Sequence, residues 1–466
     1  MFLSSLAAAL VLLAADPAEV RVGAAVVAIT PPLGVPMAGY YSERGATAVH
    51  DDLYARTLVL ESSGTKAALV GLDLASTARH FIEAARSEIE ATTGIPAPHV
   101  MISGSHTHTG PILARTSRRY DAQGAQNERA TTYMDKLPGL IAQSVREANS
   151  KLAPAKVSAA TGRVEGLAFN RRFHMRDGSV GWNPGKLNPN IVRPAGPTDP
   201  ELPVVFFEGA RARPLATYAN FAIHLDTVGG TEISADAPGT LYKLLAAATD
   251  LEMVTVYTTG CCGDINHYNV SRNVPQKGHA EAARIGTILA ANVLRAIENL
   301  RVVAPGKIRV RSEMVKLPLP TIDPAEVEPA RAIAERVRNR ENPAPKFLEQ
   351  VQAFKVLDVV GREGQPQEVE VQVVAMGDDL AWVSLPGEIF VELGLQIKQG
   401  SPFRQTMIAE LANGSIGYIP NRIAYPQGNY EVLSARCGEG SGELLVDAAL
   451  RLLRGLYDEE AKARGK

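Results

Sequence analysis

Only three cysteines occur in the 466 residues, Cys261, Cys262 and Cys437. Adjacent cysteines rarely bond to each other and three cannot all pair, so no disulfide framework is implied. Buried free thiols are the plain expectation, with a bridge from Cys261 or Cys262 to Cys437 as the alternative. Net charge is also scarce, at −2. A chain without a basic excess offers little to a polyanion, so no nucleic-acid partner is expected. Beyond the N-terminus no stretch is apolar enough to cross a membrane, where about 20 residues are needed. Repeats and low-complexity tracts are absent too.

The N-terminus is the exception to the lack of apolar runs. Residues 1–15 are almost wholly apolar and end in Ala14-Ala15 before Asp16. That pattern fits the apolar region of a signal peptide with small residues for cleavage, although no Lys or Arg precedes it. Export, to a periplasm or outside the cell, is the expectation. An uncleaved or mis-started terminus is the alternative.

What the chain does contain is a large apolar share, 45% against 21% charged, enough for a sizeable core. Its length suits two or three domains or one large one. Short runs rich in Val, Ile and Thr predict strands at Ala67–Leu74, Val100–Ser103, Leu215–Ile223, Met253–Thr258, Val369–Ala375, Leu380–Leu385 and Thr406–Leu411. Helical periodicity predicts helices at Phe81–Thr92, Met134–Lys151, His279–Asn299, Pro324–Asn339 and Gly442–Arg454, with Asp323-Pro324 as a helix start. Six prolines and three asparagines between Asn183 and Pro203 predict a long ordered loop that could wall a site. A hairpin with a Gly-Asp turn is expected around Gly377. Because strands and helices alternate only in part, a mixed α/β fold is expected rather than a regular doubly wound sheet.

Polar residues collect just after the apolar strands, where ligands of open α/β sheets tend to sit. His106 and His108 are two apart, so in extended backbone they share a face and could bind a metal or simply cap a turn. His224 ends another strand. Asp236 could orient a ligand imidazole or cap the helix that follows. Gly260-Cys261-Cys262-Gly263-Asp264-Ile265-Asn266-His267 can turn tightly against a ligand or be an ordinary loop. Glu388, in Leu385-Pro386-Gly387-Glu388, stands where a strand hands over to a helix; it could coordinate a metal or only stabilise the helix. Tyr418 would not be picked as a ligand from spacing, since a phenol ionises near pH ~10 without a cation's help.

In their order these blocks resemble the neutral, non-lysosomal ceramidases. The likeness begins at Val22-Gly23-Ala24 and Met37-Ala38-Gly39-Tyr40, and runs through His50-Asp51-Asp52 and Ser105-His106-Thr107-His108-Thr109-Gly110-Pro111. It continues through Phe169-Asn170-Arg171, Asn220–His224, Pro386-Gly387-Glu388 and Tyr418 to Tyr430-Glu431. It implies one large ceramidase-like catalytic domain over residues 20–460, of mixed sheets with surrounding helices and without a C-terminal sandwich domain. It also implies a zinc-dependent hydrolase of a linear amide such as an N-acylsphingosine or related N-acyl lipid. By position, His106, His224, Glu388 and Tyr418 would bind Zn2+. His108 and Arg171 would line the site, Tyr430 would donate to the amide carbonyl, and Gly39 would approach the substrate through its backbone. His108 is the expected proton carrier to the leaving nitrogen, because imidazole can titrate near operating pH.

The family's Gly-Asp-Val-Ser-Pro-Asn reads Gly263-Asp264-Ile265-Asn266-His267 here, which puts Asn266 at the substrate in place of a serine. With the Asn183–Pro203 loop and the short C-terminus, this bears on whether ceramide is the amide, more than on amide hydrolysis. The competing expectations are a metallohydrolase of the same fold for another ester or amide, and a non-catalytic, site-degenerate binding protein. The expected partner is a small-molecule or lipid amide, with peripheral membrane contact if the lipid is bilayer-borne. The oligomeric state is left open.

Overall fold

The computed structural model describes residues 19–113 and 117–463. The predicted signal segment, residues 1–15, lies outside them. Three sheets carry the fold. The first contains β1 (Val20–Ala28), β2 (Tyr54–Ser62), β3 (Thr65–Leu72) and β4 (Val100–Gly104), in the order β4-β3-β2-β1 with Ala153–Pro154 at the far edge. The second contains β5 (Lys156–Arg163), β6 (Glu201–Glu208), β7 (Pro214–Phe221) and β8 (Val254–Thr259), in the order β8-β7-β6-β5 followed by Arg301–Val302. The third runs β9 (Ile308–Leu317), β10 (Gln367–Met376), β11 (Leu380–Ser384), β12 (Gln405–Ala409).

Each sheet is antiparallel except at one end, where β3 pairs with β4, β7 with β8 and β11 with β12 in parallel. Parallel neighbours need a crossover, and each pair has a helix for it: α1 (Arg79–Thr93), α3 (Ala237–Ala248) and α7 (Val391–Gly400). The remaining long helices are α2 (Glu128–Ser150), α4 (His279–Ile297), α5 (Val327–Arg338), α6 (Phe347–Val360) and α8 (Ser441–Ala463).

Alternation along the strands divides the core. One face of each sheet contributes to a shared centre that includes Leu58, Leu69, Met101, Phe207, Tyr218, Val256, Val374, Trp382 and Met407. The other faces are covered separately. Helices α1 and α2 cover the first sheet, α3 and α4 the second, and α7 and α8 the third. On β10, Val371, Val373 and Ala375 face the helices while Val374 and Met376 face the centre, as a period of two requires.

The predicted strands all occur, within a few residues. The β10–β11 hairpin turns at Gly377, which has φ 57°. Asp323 caps the start of Pro324–Glu326 by accepting from the Ala325 N–H, and α5 follows at once. Two helices are longer than their periodicity suggested. Helix α2 starts at its Asn127 cap, and α8 runs to Ala463. Helices α3 and α7 stand where a helix is expected after Asp236 and after Glu388, whereas α6 is not expected; it buries Val351, Ala353, Phe354, Val356 and Val359, too many sides for a clean stripe. The Asn183–Pro203 loop is more structured than expected. Ile191–Pro194 and Val180–Trp182 flank Arg172–Met175 in a small antiparallel sheet. All three cysteines are free and buried. Among the described residues no helix is long and apolar enough to cross a membrane.

Candidate metal centre

The three crossover units place the site. His106 follows β4 by two residues, His224 follows β7 by three and Glu388 follows β11 by four. Glu388 and Tyr418 are then direct partners in a two-residue parallel pairing, Glu388–Ile389 with Tyr418–Ile419. The C-terminal ends of the parallel pairs therefore converge on one buried point.

At that point three imidazoles meet. His106 Nε2 lies 2.9 Å from His224 Nε2 and 3.4 Å from His108 Nε2. His106 Nδ1 donates to the Ala75 carbonyl at 2.7 Å, so a neutral His106 bears its lone pair on Nε2. Ring nitrogens facing one another so closely need a proton or a cation between them. One ligand atom from each of His106, His108 and His224 fits within 4.8 Å of the others, a group that could hold a metal ion. Glu388 Oε2 stands 3.4 Å from His106 Nε2, is buried, and has no hydrogen-bond partner. His108 Nδ1 is likewise buried without a partner. Two orphaned buried polar atoms beside facing nitrogens fit a cation better than an empty apolar core. His106 also holds φ at 76°, a costly conformation for a non-glycine residue.

The electrostatics agree with a coupled cluster. Burial pushes the His106 imidazole down, but the neighbouring Glu388 carboxylate outweighs it and the net shift is upward. Burial and the charge of His106 push His224 well below its usual range, and His108 to about 3. Glu388 is held at about 2; burial would raise it, but His106 and Tyr418 beside it prevail. Burial drives the Tyr418 phenol upward despite nearby Arg171, so it ionises only if a cation joins the cluster.

Around this centre, Arg171 Nε donates to Glu431 Oε1 at 2.9 Å and its Nη2 to the Gly263 carbonyl at 2.7 Å. The guanidinium lies 5.4 Å from the Tyr418 ring centre and 5.8 Å from that of Tyr430. Tyr430 sits 5.3 Å from Tyr418, and Trp182, in the strand leading into the proline-rich segment, packs on it at 4.5 Å, whereas no residue of that segment lines the adjoining cavity. Gly39 has φ 98°, and a Cβ there would come within 2.6 Å of His108, so glycine is what lets this backbone lie against the imidazole. A cavity of about 780 Å³ opens on the cluster, lined by Gly39, His106, His108, Glu388, Tyr418 and Tyr430 among others.

Asn266 is placed differently from that group. Its amide donates to Asn183 Oδ1 at 3.1 Å and its oxygen accepts from the Tyr268 N–H, and it does not line this cavity. His267 is tied to the Gln276 carbonyl at 2.7 Å and faces Asp226 at 3.3 Å. Of the two roles open to Asp236, capping is the one observed. Its carboxylate accepts from the N–H groups of Val228 and Ala237 at the start of α3.

Sequence reading missed two supporting acids. Glu410 accepts from the Cys262 thiol at 2.9 Å and from the N–H groups of Cys262 and Ile389, and Cys262 Sγ lies 4.0 Å from His224 Nδ1. Burial raises the Glu410 carboxyl to about 8. Glu431 anchors Arg171. The signal available for Glu410 was an acid inside the otherwise apolar run Met407–Ala412.

The family model described as neutral/alkaline non-lysosomal ceramidase, N-terminal, matches residues 20–245. Those residues belong to that family. The fold of the neutral ceramidase from Pseudomonas aeruginosa matches with a TM-score of 0.75 at 18% identity, covering 95% of this chain and 75% of that one. A ceramidase complexed with C2 matches with a TM-score of 0.72 at 17% identity, covering 95% and 76%. The likeness thus extends the ceramidase-like fold beyond the family-matched part, over the third sheet and the separate Glu388–Tyr418 pairing. No curated protein matches the chain.

Proposed function

We propose that this chain is a zinc-dependent hydrolase of a linear amide, ceramidase-like, with one catalytic domain over residues 20–460. The observation that carries the proposal is the buried meeting of His106, His224 and Glu388, with unpartnered polar atoms on Glu388 and His108. His106, His224, Glu388 and Tyr418 would hold the ion. Imidazole and carboxylate are ordinary zinc donors, and the phenol joins as a fourth. When bound, zinc supplies Lewis acidity and a water acidified to pKa ~7.

The chain's own residues do the rest. The Tyr430 phenol, kept protonated by burial, donates a hydrogen bond to the amide oxygen as negative charge grows there. Arg171, held by Glu431 and Gly263, stays charged and adds positive potential without moving a proton. His108 lies against the cluster where a proton carrier to the leaving nitrogen would stand, but burial and His106 hold it at about 3, far from the near-neutral titration expected of it, so it would carry a proton only when the charge of the cluster changes. Gly39 brings backbone alongside His108 where a side chain would collide.

Purified protein is expected to carry about one zinc per chain, to lose amidase activity on chelation and to regain it with zinc. His106→Ala should lose both metal and activity, and a variant with full zinc content overturns the assignment. The closeness of His108 to the other two imidazoles favours a second reading of that residue, as a third histidine ligand. His108→Ala separates the roles. It keeps the metal and loses turnover if His108 carries protons, and it loses the metal if His108 is a ligand. A metal-free chain that binds N-acyl lipids without cleaving them would point instead to the binding-protein alternative.

A further inference from the structure

The cavity on the metal centre is cationic away from the imidazoles: Arg118, Arg119, Arg362 and Arg436 line it. Its acids are committed elsewhere. Asp358 accepts from Arg436 Nε at 2.7 Å, Glu368 pairs with Lys316 at 3.3 Å, and Glu388 faces His106. Arg362 turns its donors to the carbonyls of Gln365 and Pro366. Arg119 is different. Its guanidinium is half-buried between two aromatic rings, 4.6 Å from the centre of Tyr41 and 4.2 Å from that of Tyr120. Among the described residues its polar partner is the Tyr41 phenol, and no carboxylate pairs with it. Stacking fixes the plane of the fork, and a fixed, partly desolvated guanidinium is suited to take a planar carboxylate on two donors. Tyr41, which carries Arg119, and Tyr430 pack on the same Phe347 ring, each at 5.3 Å, and Tyr41, Arg119 and Tyr430 all line the cavity. The cation therefore stands on the same stretch of wall as the residue that would hold the scissile carbonyl.

The geometry points to a substrate whose amine half bears a carboxylate: an N-acyl amino acid rather than a neutral N-acyl amino alcohol, with Arg119 as the residue that selects it. This rests on the amidase reading of the same site. The reaction balances with water alone. The C–N bond breaks, a C–O bond forms, and the nitrogen takes a proton, giving a fatty carboxylate and an amino acid.

The test compares N-lauroylglycine with N-lauroylethanolamine on zinc-loaded wild type, Arg119→Gln and Arg119→Lys, with metal content and thermal midpoint measured for each. A carboxylate held on two charged donors predicts a wild-type preference for the glycine conjugate of ~10- to 100-fold in kcat/KM. Arg119→Gln should lower the ratio between the two substrates by that factor, mainly through KM, and Arg119→Lys should restore part of it. An unchanged ratio, or a wild type that prefers the ethanolamide, overturns the substrate assignment while amidase activity stands. If zinc-loaded protein cleaves neither compound, the amidase reading falls and takes this inference with it. Calorimetric titration with laurate distinguishes the fatty product as the source of the carboxylate. Laurate binding that weakens in Arg119→Gln without a change in the substrate ratio also overturns the proposal.

Discussion

Replacing Glu431 by glutamine tests how the positive side of the centre is held. The carboxylate is fully buried and accepts from Arg171 Nε and Arg172 Nη1, both at 2.9 Å. Both arginines are themselves buried, and among the described residues Glu431 is the one carboxylate that pairs with them. Glu431→Gln keeps the shape, but leaves two buried guanidiniums facing a neutral amide whose NH2 can only donate. Removing one partner of a buried ion pair costs about 3–5 kcal/mol. At about 2 cal/mol/K per residue, unfolding a chain of this size carries an entropy near 1 kcal/mol/K, so the cost reads as a fall in Tm of about 3–5 °C. The control is Glu165→Gln, which breaks the exposed pair with Arg163 at 2.8 Å, where 66% and 69% of the side chains are open to solvent. That change should move Tm by less than about 1 °C. Scanning calorimetry of the two variants beside wild type decides the matter. Equal shifts would show that the buried triad does not anchor Arg171 in the way described.

Other expectations follow from single contacts. Gly39→Ala puts a Cβ within 2.6 Å of His108 at φ 98°, so it should retain metal and lose at least ~10-fold in kcat, because a small misplacement of a reacting group is costly; steady-state kinetics with unchanged kcat would refute the close-approach argument. Asp73 is buried, and burial raises its carboxyl to about 6 although it accepts from the Tyr54 N–H and the Tyr242 hydroxyl. The unfolded value is about 4, so between pH 4 and 6 the native state holds a proton that the unfolded chain releases, and stability falls as pH rises through that window, by roughly 3 kcal/mol in all. Asp73→Asn should remove this slope, so its Tm relative to wild type should rise by about 3 °C from pH 4 to pH 7; a constant difference would contradict the assignment. Trp382, fully buried at the shared centre of the three sheets, should cost about 3–5 kcal/mol on replacement by alanine, read by denaturant unfolding.

Local chemistry was enough to find much of this molecule. Strands such as β4 and β11 announce themselves as short apolar runs, and the polar residues that follow them stand where a parallel pair presents a ligand. His106, His224 and Glu388 could therefore be singled out beside plainer structural roles, and it was the resemblance that joined them into one ligand set. Other features depend on partners distant in sequence. His106 and His224 are 118 residues apart, and Arg171 and Glu431 are 260 apart. No periodicity reports such pairs. Asn266 shows the converse: its place in a motif pointed to the substrate, whereas its hydrogen bonds are to Asn183 and Tyr268.

The sequence by itself determined the mixed α/β class, the main strands, the absence of a disulfide framework and the blocks that carry the candidate ligands, because each depends on hydrophobic period, turn chemistry or residue type within a few positions. Only the tertiary structure decided that three crossover units aim their ends at one point, that His108 joins the imidazole cluster, that Glu410 and Glu431 stand behind it, and that Arg119 faces the cavity without a carboxylate. Those properties arise when sheets pack face to face, which brings together charges and lone pairs that no local stretch of chain contains.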